Sequence, residues 1–84
     1  MKKKSPAASL SELVGHNVRV FRASAKLSQE DLAELCGMKR TYVGAIERAE
    51  VDVRLTTLGK LAEGLRLEPY ELLTDARSRL HVKR

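Results

Sequence analysis

The sequence predicts an all-α fold, a compact bundle of five short helices. Two observations carry this. Apolar residues recur three and four positions apart along successive segments, the spacing that lines one face of a helix. Helix punctuation bounds those segments: Ser9 with Glu12 and Ser28 with Asp31 as capping boxes, Gly37 and Gly64 near ends, Pro69 at a first helical position. A chain of 84 residues is one small domain, near the size at which a single core barely suffices and association helps. A dimer is expected on that ground alone.

Residues 1–8 (MKKKSPAA) hold three consecutive lysines and nothing to bury, and read as a flexible basic arm. Such an arm either solubilises the terminus or reaches a phosphate or a minor groove. The first helix runs from about Leu10 to Ala25, with Leu10, Leu13, Val14, Val18 and Phe21 on its apolar face. The second starts behind Ser28, with Leu27 and Leu32 spaced as a hydrophobic staple, and Leu32, Leu35 and Cys36 turned inward. Gly37 then offers a left-handed position at low cost, and the chain turns. The third helix buries Met38, Val43 and Ile46 and points Arg40, Thr41, Gly44, Ala45 and Arg48 outward. Leu55, Leu58, Leu61, Ala62 and Leu65 trace the fourth, weakened at Gly59 and closed by Gly64 and Leu67. Pro69 opens the fifth, whose apolar side is Tyr70, Leu72 and Leu73. The folded domain is thus 9–74, and the basic stretch 75–84 (DARSRLHVKR) either prolongs the fifth helix or is a loose tail.

The formal charge is +5, with no stretch able to span a bilayer and no signal-peptide pattern, so a cytoplasmic protein is expected. The single cysteine, Cys36, lies on an apolar face and reads as a small buried hydrophobe, not a nucleophile. His16 and His81 stand far apart without ligand spacing. No nucleophile, base and orienting group can be assembled, so neither an enzyme nor a bound metal or cofactor is expected.

Two short helices joined by a glycine turn form a helix-turn-helix, whose second helix enters the DNA major groove. Phosphates are alike along a duplex while base edges differ, so the outward residues divide into two groups. Arg40 can present a fork to guanine O6 and N7, Thr41 a methyl or hydroxyl, and Gly44 and Ala45 close approach with little code of their own. Gln29 at a helix start, Lys39, Tyr42, Arg48 and Arg54 are the phosphate candidates. One strong reader per monomer discriminates by only about 1–3 kcal/mol, so dimerisation and DNA shape must supply the rest, on a pseudo-palindromic operator.

The stretch from Ser28 to Arg48, SQEDLAELCGMKRTYVGAIER, with small Ala33 at the helix crossing, resembles the helix-turn-helix family of phage repressor and Cro proteins. The RTY run with IER after it is particularly similar to the controller proteins of restriction-modification systems, and the likeness covers about Leu13 to Leu73. The resemblance implies a homodimeric, sequence-specific DNA-binding transcription regulator. It also implies an ion pair between Arg22, seven residues before Gln29, and Glu47, in preference to a phosphate contact for Arg22. It places the two-fold interface at the fifth helix and the loop before it, giving Leu67, Tyr70, Leu72 and Leu73, although Leu72 and Leu73 equally suit the monomer core. Glu30, Asp31 and Glu34 on the second helix either complement its dipole or, as in phage repressors that activate, form a patch for RNA polymerase. One departure stands out: the family's glycine after the third helix is Ala49 here, so either Ala49 bears left-handed strain or the helix runs on through Glu50. The competing reading is an antitoxin-like DNA-binding protein whose main partner is a toxin.

Overall fold

The structure, a computed structural model, describes residues 6–75, with side chains from residue 10 onward. Four α-helices and one 3-10 helix make up these residues: α1 (Pro6–Ser24), α2 (Gln29–Cys36), α3 (Arg40–Glu47), α4 (Leu55–Leu65) and the 3-10 helix Pro69–Leu73.

The five-helix expectation needs correction at its last member, which is a 3-10 helix and not an α-helix. The Glu71 N–H bonds the Glu68 carbonyl at 2.9 Å, the three-residue spacing of the tighter helix. Buried Asn17 of α1 then donates its amide to the carbonyls of Leu72 (3.0 Å) and Thr74 (2.8 Å), which turns the chain toward a side chain instead of an α ladder. At the other end α1 starts at Pro6, ahead of the Ser9 box, so residues 6–8 of the expected arm are helical. Residues 1–5, and all but Asp75 of the expected tail, lie outside the described residues.

The core is Val14 and Val18 of α1, Leu32, Ala33 and Cys36 of α2, Val43 and Ile46 of α3, Leu58, Leu61 and Ala62 of α4, and Leu72. Leu35, expected inward, is 59% exposed. Residues on a helix turn by about 100° each, so Ala33 and Leu35 flank the Leu32–Cys36 stripe about equally on opposite sides, and spacing alone does not choose between them. The small Ala33 takes the inner place because α2 packs on α3 on that side.

Close approach is built with glycine inside helices. A Cβ on Gly15 would strike the Ile46 carbonyl oxygen and stand 3.0 Å from that of Glu47, so α1 rests directly on the end of α3. A Cβ on Gly64 would stand 2.7 Å from Cys36 Sγ, so Gly64 lets α4 approach α2 and does not close α4. That closing role falls to Arg66 (φ 60°), which with Lys26 (φ 63°) and Ala49 (φ 59°) is one of three L-residues held left-handed among the described residues. At Ala49 the strained alternative holds: α3 stops at Glu47, and the N–H groups of Ala49 and Glu50 return to the carbonyls of Ile46 (3.0 Å) and Ala45 (2.9 Å).

Candidate DNA interface

The geometry of the α2–turn–α3 unit starts at Ser28. Its hydroxyl accepts from the Asp31 N–H at 2.9 Å while its own N–H donates to the Asp31 carboxylate at 3.0 Å. The Ser28 N–H and hydroxyl together hold the Asp31 carboxyl below its ordinary range. Gly37, at φ 68°, ends α2, and Met38 N–H returns to the Ala33 carbonyl at 2.9 Å. Helix α3 therefore begins at a set angle, with Arg40 as its first residue.

Arg22 and Glu47 clamp this unit to α1. Arg22 Nε and Nη2 donate to the two Glu47 carboxylate oxygens at 2.6 and 3.1 Å, and Arg22 Nη1 donates to the Leu27 carbonyl at 2.8 Å. Burial pushes the Glu47 carboxyl up, but hydrogen bonds from Arg22 and Gln29 and the charges of Arg22 and Arg19 outweigh it and hold the group below its ordinary value. The bond to Glu47 correspondingly raises the Arg22 guanidinium.

On the outer side, Lys39, Arg40 and Thr41 are exposed and Ala45 is half-buried. Arg54 is exposed at the start of α4. Tyr42 is half-buried with its ring packed on the core, so less of it faces outward than the sequence implies. Gly44 must be corrected more firmly: expected on the reading face, it is buried, because the Arg48 and Gln29 side chains lie across it. Arg48 is exposed but engaged, with Nε and Nη2 donating to the Glu50 carboxylate at 2.9 and 3.2 Å. Glu50 was invisible to sequence reasoning as a partner of this face, since only the left-handed turn at Ala49 brings it back. Gln29 is also engaged: its Nε2 donates to Glu47 Oε1 at 3.0 Å and its Oε1 accepts from Arg40 Nη1 at 3.2 Å.

The expected interface residues separate. Leu72 is fully buried in the monomer and is removed from the interface, because it fills the space between α1 and α4. Leu67 is half-buried against the core, whereas Tyr70 and Leu73 are exposed. Glu30, Asp31 and Glu34 are all exposed along α2. Cys36 is buried, donating to the Lys60 carbonyl at 3.3 Å, and burial pushes its thiol up. Among the described residues no cluster of His, Cys, Asp or Glu could hold a metal, and no helix is long and apolar enough to cross a membrane.

Comparison with known proteins agrees with this geometry. The control protein C.SmaI of Serratia marcescens is 46% identical over 65 residues, covering 77% of each chain. The crystal structure of a hypothetical transcription factor from Neisseria superposes with a TM-score of 0.84 at 34% identity, covering 99% of this chain and 97% of the other. That of the restriction-modification controller protein C.AhdI from Aeromonas hydrophila superposes at 0.72 with 44% identity, covering 74% and 94%. The sequence pattern of the helix-turn-helix family HTH_3 matches residues 18–72, most of the chain. The chain therefore belongs to the HTH_3 family of helix-turn-helix DNA-binding regulators.

Proposed function

We propose that the protein is a cytoplasmic, non-enzymic transcription regulator of the restriction-modification controller type, binding as a homodimer to a pseudo-palindromic operator. The observation that carries this is the exposed N-terminal turn of α3, with Lys39, Arg40 and Thr41 held on a base that the Arg22–Glu47 pair ties to α1. Arg40 reads guanine and Thr41 and Ala45 contact neighbouring bases. Lys39, Tyr42, Arg48 and Arg54 contact phosphates. Similarity to C.SmaI and C.AhdI supports the controller role.

The dimer reading rests on an apolar groove between the first turns of α1, the start of α4 and the loop before it. It is lined by Leu10, Val14, Val53, Leu55, Leu58 and Leu73 and encloses about 310 Å³. Two of its lining residues, Leu55 and Leu73, are 83% and 40% exposed, apolar side chains that a second copy would cover. With Asp31 engaged by Ser28, Glu30 and Glu34 remain as the acids for a polymerase contact. Selection of duplexes from a random pool tests the whole reading: recovery of a two-fold-related sequence pair supports it, and no enriched sequence would remove it.

A further inference from the structure

Arg48 follows directly on α3, and one edge of its guanidinium is already occupied. Nε and Nη2, the two donors that point to one side of the group, meet the two Glu50 carboxylate oxygens at 2.9 and 3.2 Å. The same parallel pair of bonds is how a guanidinium grips a phosphate. The remaining nitrogen, Nη1, lies over Gly44, 3.1 Å from where a Cβ there would stand. The edge best suited to the DNA backbone is therefore taken by a carboxylate of the same chain.

The turn after α3 makes this pairing. Ala49 at φ 59° folds the chain back, and the Glu50 N–H returns to the Ala45 carbonyl at 2.9 Å. Had α3 run on, residues 48 and 50 would face apart. Their side chains are 61% and 54% exposed, and an exposed pair of this kind adds little to the stability of a fold. The bond holds the Glu50 carboxyl below its ordinary range and raises the Arg48 guanidinium, so both groups are charged at neutral pH.

We propose that Glu50 is an intramolecular stand-in for a DNA phosphate, occupying the Arg48 guanidinium and so holding down the affinity of the domain for DNA of any sequence. This rests on the reading of Arg48 as a phosphate contact. DNA engages the paired edge of Arg48 by displacing the carboxylate, which then lies near a polyanion with its charge uncompensated. Contact between Arg48 and a phosphate releases a counterion from DNA, but a freed Glu50 takes a cation up, so the exchange adds little net ion release. Arg40 is bonded to Gln29 and not to Glu50, so the reading of bases is outside this exchange. The sequence alone assigns Arg48 to phosphate and gives Glu50 no part.

The test measures binding of the full chain to two labelled duplexes, one carrying the sequence it selects from a random pool and one unrelated, over a series of salt concentrations. Glu50→Gln keeps the length of the side chain and removes its charge. It should raise affinity for both duplexes by about threefold or more at low salt, and steepen the salt dependence by about one ion per monomer. The ratio between the two duplexes should not change. In an Arg48→Ala background, Glu50→Gln should lose most of its effect, since the gain acts through Arg48. Equal gains with and without Arg48, in a protein that Arg48→Ala weakens, would overturn the proposal: Arg48 would still contact phosphate, and Glu50 would act by repulsion through space. Unchanged or weaker binding by Glu50→Gln would also overturn it, the weaker case meaning that Glu50 presents Arg48 to DNA. If Arg48→Ala changes nothing in either the parent or the Glu50→Gln background, the phosphate assignment itself fails, and the stand-in role with it.

Discussion

Gly15 of α1 lies directly against the Ile46 backbone of α3: any Cβ at residue 15 would clash with the Ile46 carbonyl oxygen. The two helices cannot separate without pulling Arg22 off Glu47, which lies beside Ile46. Gly15→Ala should therefore destabilise the fold by about 1–3 kcal/mol, the cost of overpacking against atoms that cannot rotate away. Urea denaturation would show it, and a variant as stable as the parent would mean that α1 can shift freely on α3.

Two small residues carry the opposite lesson. Gly59 lies inside α4 with nothing within 4 Å of where its Cβ would be, so Gly59→Ala should stabilise by about 1 kcal/mol through helix propensity. Ala49 sits at φ 59°, where glycine is at ease, so Ala49→Gly should stabilise by roughly 0.5–1 kcal/mol, strain relief less the added freedom of the unfolded chain. Thermal melts of both variants check this, and a fall in either would show that the residue makes a contact in the assembled protein.

The Arg22–Glu47 pair has side chains 16% and 4% exposed. Removing one partner of such a pair strands the other, and Glu47→Gln should cost about 3 kcal/mol, the low end of the range because Arg22 still reaches water. The acid dependence follows in sign. Glu47 is held below its ordinary value of 4.5, so its contribution is complete above that pH and is lost as pH falls through the lowered folded-state value. The stability gap between parent and Glu47→Gln should be constant at neutral pH and narrow in acid. A gap that widens in acid would contradict the assignment.

The α2–turn–α3 unit was legible because its determinants are local: Ser28 and Asp31 cap each other, and Gly37 has the φ that only glycine adopts cheaply. What escaped depends on neighbours distant in sequence. Apolar Leu35 and Ala33 both flank the stripe of α2, and only the position of α3 decides that the smaller goes in. Three left-handed caps fell on Lys26, Ala49 and Arg66, so a rule that looks for glycine placed the end of α4 at Gly64 instead. Asn17 stands at a core position of α1 beside Val14 and Val18, and its bonds to the Leu72 and Thr74 carbonyls depend on a segment 55 residues or more away. The site followed the same division. The exposure of Arg40 followed from its place after the turn, whereas the bonds of Gln29 and the burial of Gly44 arise between helices.

Leu55 opens α4 almost fully exposed, so Leu55→Asp should leave the monomer as stable as before, with an acid at a helix start that favours one. The dimer, however, would have to bury that charge. Sedimentation should show a monomer, and operator affinity should fall by about 10²–10⁴ because the two half-sites are no longer bound as a linked pair. An unchanged dimer would move the interface away from the groove.

Reading and positioning on α3 can be separated at two neighbouring residues. Arg40 is exposed, with Nη1 bonded to Gln29, while Tyr42 is half-buried and packed against the core. Arg40→Ala should lower operator affinity by about 1–3 kcal/mol per half-site and erase the preference at one base pair. Tyr42→Phe keeps the ring and removes only the hydroxyl proposed to contact phosphate, so on that reading it should weaken operator and unrelated DNA by similar, modest amounts. Arg40→Ala also removes a charge, and part of its effect will appear as a shallower salt dependence on any duplex. The comparison is therefore made across base substitutions at fixed salt. Equal weakening of all sequences by Arg40→Ala, together with an altered base preference in Tyr42→Phe, would reverse the two roles.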